Sequence, residues 1–230
     1  MKLRDLPVLA AGFLALGLAS APAQANLVTN GGFETPNVAS SQNVWFAKGI
    51  GNTSITGWTV VGNTISLQNN TAFAYVGVVA SEGQQLLDLT GNVGRGGGVR
   101  HDPIATDIGA TYRLQFDVGA FFVGTSSFGN AIVDLWIDGI ASGSFTNIMS
   151  LTHQGSDWET ETVDFVATGS QTTIEIRSSL STSSSNLGVG LDNVRLSLTA
   201  PAGSVPEPAS LLLVAAALLG LGAACRRSGR

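Results

Sequence analysis

Side chains able to do chemistry stand out where a strand's solvent face would normally carry Thr and Ser. The run Ala131–Asp138 offers such a set. If it is a strand, successive side chains point to opposite faces. Val133, Leu135 and Ile137 then look inward, while Asp134, Trp136 and Asp138 look outward. Tyr112–Val118 repeats the pattern, with Tyr112, Leu114, Phe116 and Val118 inward and Arg113, Gln115 and Asp117 outward. A flat ring beside planar hydrogen-bonding groups suits sugars, which present C–H faces and hydroxyl edges. The six outward residues form one ligand face only if both strands lie in one sheet with a concave outer side. Otherwise they are a solvated surface, with Trp136 covered by a loop. Trp45, Phe121, Phe122 and Phe128 are candidates for a rim, Trp58 and Tyr112 read as core, and Trp158 reads as packed under a loop.

Motifs of enzyme chemistry are sparse. Catalysis of acyl or phosphoryl transfer needs a nucleophile, a base and a group that orients them. The two histidines, His101 and His153, sit in turn-like or polar surroundings and read as exposed loop residues. The chain has no Gly-x-Ser-x-Gly elbow and no His-Glu-x-x-His. The glycine run Gly94–Gly98 is not followed by a helix, so it lacks the N-terminal dipole that holds phosphate. Asp157, Glu159 and Glu161 alternate beside Trp158, a pattern compatible with a glycosidase pair and equally with a solvated strand entrance. The reading from these residues is a chain that is not an enzyme.

The elements that would position these residues are strands. Between Asn26 and Ala200 short alternating runs recur, separated by Gly, Asn and Ser clusters, and no helical period appears. Strands are expected over 56–61, 84–90, 112–119, 131–138, 161–167, 172–178 and 190–198, in an all-β antiparallel sandwich. This body carries 14 acidic and 6 basic residues, a balance of about −8 that disfavours nucleic acid and anionic membrane as partners. The single cysteine, Cys225, lies outside the body, so no disulfide can hold it and a hydrophobic core must.

Two flanking segments read as targeting signals. Lys2 and Arg4 precede the apolar stretch Val8–Ala19 and the small-x-small site Ala23–Ala25, so a signal peptide spanning 1–25 is expected, with signal peptidase cutting after Ala25. After a linker at 201–205, the segment 206–230 runs from Pro206, Glu207 and Pro208 through the apolar Ala209–Ala224 to Arg226, Arg227 and Arg230. That order of parts resembles the PEP-CTERM tail of proteins handled by exosortases. The resemblance implies a transient transmembrane anchor cut near Pro206–Pro208, and export to the surface or matrix of a Gram-negative bacterium that makes exopolysaccharide.

Within the body, "NLVTNGGFE" (Asn26–Glu34), "GWTV" (Gly57–Val60), "GQQLLDL" (Gly83–Leu89), "YRLQFDVG" (Tyr112–Gly119) and "VGLDNVRL" (Val189–Leu196) occur in an order that resembles galactose-binding-like domains. Carbohydrate-binding modules and plant cell-wall polysaccharide-binding proteins are among these. The resemblance implies a jelly-roll β-sandwich whose first and last strands lie together. It also implies that Glu34 and Asp192 approach a structural Ca2+, an ion that takes mixed carboxylate and carbonyl oxygens; the alternative is that both side chains cap turns. The function expected is binding of extracellular polysaccharide through Trp136, Asp134, Asp138, Arg113, Gln115 and Asp117. The alternative is a structural biofilm-matrix protein that acts by display or self-association.

Overall fold

The computed structural model describes residues 25–38, 45–71, 77–91, 95–122, 130–148, 155–179 and 188–203. The expected signal peptide up to residue 24, the tail with Pro206, Glu207 and Pro208, and Phe128 and His153 lie outside these residues. Ala25 is exposed at the start of the described chain.

Thirteen strands and no helix occur among the described residues: β1 (Trp45–Lys48), β2 (Trp58–Val61), β3 (Ile65–Asn69), β4 (Gln85–Asp88), β5 (Gly98–His101), β6 (Ile104–Ala105), β7 (Thr111–Phe122), β8 (Asn130–Ile137), β9 (Ile140–Ile148), β10 (Gly155–Val166), β11 (Gln171–Thr172), β12 (Ile174–Ser178) and β13 (Gly188–Ala200). Six form one sheet in the order β1-β3-β4-β13-β7-β10, five form a second in the order β2-β5-β12-β8-β9, and β6 pairs with β11. Every pairing is antiparallel. The all-β sandwich is therefore the fold.

Alternation builds it. Tyr112, Leu114, Phe116 and Val118 of β7 meet Val133, Leu135, Ile174 and Ile176 of the opposite sheet in one continuous core. Each large side chain fully withdrawn from water there contributes roughly 1.5–3 kcal/mol, which is how a body without a disulfide is held. Trp58 and Tyr112 are core residues, 1% and 3% exposed. Strand β8 keeps a strict buried and half-buried alternation, as a sheet with one wet face should. Strands β3 and β4 do not: all of their residues are buried.

The segment Leu27–Gly31 lies against β13. Leu27 N–H donates to the Leu196 carbonyl at 2.8 Å, and Val194 N–H donates to the Gly31 carbonyl at 3.0 Å. Gly31 is obligatory, because a Cβ there would sit 1.9 Å from the Val194 carbonyl oxygen. Asn30 and Phe33 adopt φ of 54° and 56°, turning the chain so that Phe33 is buried with its ring 5.2 Å from that of Trp58.

Candidate functional site

The six residues expected to form one ligand face do not. Strand β7 belongs to the six-stranded sheet and β8 to the five-stranded one, so their outer faces look away from each other across the core. Asp134, Trp136 and Asp138 are separated from Arg113, Gln115 and Asp117 by the thickness of the sandwich. Sequence alternation assigns a face within a strand; it cannot assign the strand to a sheet.

Each member also has a local partner. The Arg177 guanidinium lies 5.2 Å from the centre of the Trp136 ring, and Arg177 pairs with Glu175 at 2.5 Å. Asp134 accepts from the Ser144 hydroxyl at 2.7 Å. Asp138, at φ 53° before Gly139, opens the β8–β9 hairpin and accepts from Thr173 N–H at 2.7 Å. Arg113 makes a two-pronged contact with Asp164, both distances 2.7 Å, with both side chains nearly half exposed. Gln115 donates weakly to Thr162 at 3.4 Å.

Asp117 alone of the six is buried, at 3% exposure, and it leads to a different site. Its register partner on β13 is Asp192, also fully buried. Between Asp192 and Arg195 the β7–β13 register slips, and Asn193 adopts φ 53°; such bulges re-aim side chains. Asn193 Nδ2 donates to Asp117 at 3.0 Å. Asp117 further accepts from Thr160 at 2.6 Å and from the Ser81 hydroxyl in a very short contact. Asp192 accepts from Glu82 N–H at 2.9 Å and Asn193 N–H at 2.7 Å. Burial, reinforced by the neighbouring Asp117, outweighs these amide contacts and pushes the Asp192 carboxyl up to about 8.

Gly190 lies on the same face two residues before Asp192, and its register partner on β4 is Asp88. Asp88 is 6% exposed. It accepts from Thr90 N–H at 2.9 Å and from Gln68 Nε2 at 3.2 Å. Burial raises its carboxyl to about 6, with the Thr90 contacts opposing. The Trp158 ring lies over the adjacent Gly119 and Gly190, where an added Cβ would meet ring carbons at 2.7 Å. Trp158 is half-buried, donates to the Val79 carbonyl at 2.9 Å, and packs beside Val78 and Leu86. The outer face of the six-stranded sheet thus holds three buried carboxyls beside an indole.

Glu34 and Asp192 both hold the segment that leads into β4. Glu34 Oε1 accepts from Gln84 and Gln85 N–H at 2.7 and 2.8 Å, while Asp192 holds Glu82. Each residue therefore ties down backbone amides. Among the described residues no group of three or more acids, His or Cys is placed for a metal.

His101 is not an exposed loop residue. It is 5% exposed, edge-on to Trp58 at 4.7 Å. Nε2 accepts from Thr29 N–H at 3.0 Å, which leaves Nδ1–H to donate to the Asp102 carbonyl at 2.6 Å. Both nitrogens are spent on the fold.

A family model for HpiC1 cyclase matches residues 24–197. The chain belongs to the HpiC1-like cyclase family. That match corrects the expectation of a chain that is not an enzyme, because this family is named for a cyclase. A cyclase from Fischerella sp. TAU is similar in structure, with 18% identity, 79% of this chain and 100% of that one covered, and a TM-score of 0.51. A cyclase from Fischerella sp. TAU in complex with 4-(1H-indol-3-yl)butan-2-one gives 19% identity, 77% and 98% coverage, and a TM-score of 0.51. A family 35 carbohydrate-binding module from Clostridium thermocellum is a more distant neighbour, with 11% identity, 66% and 97% coverage, and a TM-score of 0.40. No curated protein sequence matches the chain significantly. Residues 204–227 match the PEP-CTERM protein-sorting motif, so this HpiC1-like chain is an exported protein with a C-terminal membrane-anchoring signal.

Proposed function

We infer that this chain is an exported acid–base enzyme of the cyclase type, working on the outer face of its six-stranded sheet, with Asp192 as proton donor and Asp88 as proton acceptor. One observation carries the reading. Burial spreads the proton affinities of two carboxyls on one face, so that near pH 7 Asp192 holds its proton and Asp88 has lost its own. Such a split is the mark of an acid and base pair. Asp88 and Asp192 occupy diagonal positions across β4 and β13, roughly 7–8 Å apart at the backbone, room for a small reacting group. Asp192 gives its proton to a carbonyl or double bond of the substrate, Asp88 takes one from the other end, and solvent restores both. The indole ketone carried by the Fischerella cyclase supports a flat aromatic substrate with a carbonyl.

The sorting motif supports exosortase processing near Pro206, Glu207 and Pro208 and display at the surface of a Gram-negative cell. A carbohydrate substrate at the same face is the second reading, favoured by the Trp158 indole on the sheet face that carries these buried carboxyls.

The test is exchange of the α-protons of 4-(1H-indol-3-yl)butan-2-one in deuterated buffer, followed by proton NMR. Acceleration by the wild-type chain and its loss in Asp192→Asn and Asp88→Asn are expected. If calorimetry shows the ketone bound and no exchange is accelerated, the acid–base reading ends.

A further inference from the structure

Strand β3 carries polar groups at alternate positions on the outer face of the six-stranded sheet. Thr64, immediately before it, Ser66 and Gln68 are spaced i, i+2 and i+4, while Ile65 and Leu67 enter the core. Ser66 is fully buried and Gln68 is 2% exposed. Among the described residues, Thr64 Oγ1, Ser66 Oγ and Gln68 Oε1 are buried and make no hydrogen bond. That is costly, because a buried polar atom without a partner forfeits its hydration.

The orientation of Gln68 is not arbitrary. Its Nε2 donates to Asp88 Oδ2 at 3.2 Å. The carboxylate therefore decides which end of the amide faces it, and leaves Oε1 as a directed, free acceptor. Ser66 lies across from Asp88, and Gln68 across from Leu86. The row continues through Gly190 and Gly119 to Trp158. Three unspent groups and an ionisable acceptor share a line with apolar side chains, and Arg113 and Arg195, on the same sheet, pair with Asp164 and Glu82 instead.

We propose that Thr64, Ser66 and Gln68 form a binding track that grips a neutral ligand through its N–H or O–H donors, with Gln68 Oε1 as the selective acceptor. An anion is disfavoured, since Gln68 Oε1 can only accept and Asp88 is negative above its midpoint. The donor has two possible sources, a heteroaromatic N–H or a sugar hydroxyl, and both present the same chemistry to Gln68. The track shares its face with the acid–base reading but does not depend on proton transfer.

The full chain is titrated by calorimetry with 4-(1H-indol-3-yl)butan-2-one, with its N-methyl derivative, and with a xylo-oligosaccharide. Binding of the N–H ketone about tenfold tighter than its N-methyl form, with the difference abolished in Gln68→Leu, assigns an N–H ligand. Binding of the oligosaccharide, weakened about tenfold in Gln68→Leu, assigns hydroxyls. Ser66→Ala tests the track without any ligand: losing an unpaired hydroxyl should raise the melting temperature by about 2–4 °C. A fall in melting temperature in Ser66→Ala would show that the hydroxyl serves the fold, and would overturn the proposal. So would a wild-type chain that binds none of the three probes, or affinities that Gln68→Leu leaves unchanged. Binding as expected with no proton exchange would overturn only the acid–base reading.

Discussion

Asp192→Asn offers the sharpest check on the electrostatics of the site. The folded-state carboxyl sits at about 8, against an ordinary value of 3.8. A raised value means that the native state binds the proton more tightly than the unfolded chain does. The stability this confers is complete below the unfolded value and is lost as pH rises through the folded one. Asp88, raised to about 6, also titrates at the lower end of the window from pH 6 to 8, but it is present in both chains, so the difference between wild type and variant reports Asp192. Ionisation of Asp192 then removes about 2 kcal/mol over the window, most of it below pH 7.5. In a domain of this size that corresponds to roughly 4–8 °C of melting temperature. Asn cannot ionise, so the variant should lack this slope. The assay is urea denaturation at half-unit pH steps, with the wild-type slope compared against the variant's so that other titrating groups cancel. Parallel slopes, or a wild-type chain that gains stability from pH 6 to 8 relative to the variant, would refute the assignment of a protonated Asp192.

Two further predictions follow from packing. Gly190→Ala places a Cβ 2.7 Å from the Trp158 ring; it should destabilise the fold by about 1–3 kcal/mol and shift the tryptophan emission, while an unchanged spectrum would show that the ring does not rest on this shelf. Trp136→Ala removes an indole from the opposite sheet, stacked by Arg177. It should leave the affinity for the probes named above within about twofold and cost under about 1 kcal/mol, and lost binding by calorimetry would return the ligand to the β8 face.

Much of the fold was legible because alternation is written locally. Tyr112–Val118 and Val133–Ile137 show which side chains point inward, and both runs do so. The segments "NLVTNGGFE" and "VGLDNVRL" do meet, with Gly31 packed tightly against Val194, but the first of them is not a strand, and the first strand β1 is separated from β13 by β3 and β4. Strands β3 and β9 were not expected, although Thr64-Ile65-Ser66-Leu67-Gln68 carries the same alternation. That spacing was the available signal for the binding track. The enzyme family left no mark of the usual kind in the sequence, since no nucleophile elbow, paired zinc histidines or phosphate loop is present and the groups proposed to react are aspartates.

The sequence by itself determined an all-β body without disulfide support and a sorting signal at its C-terminal end, because hydrophobic period and motif order are properties of neighbours along the chain. Only the tertiary structure decided that β7 and β8 face apart, that β3 and β4 are buried on both sides, and that Asp88, Asp117 and Asp192 share one dry surface. A carboxyl's proton affinity depends on the water and charge around it, and those are set by residues far away in sequence.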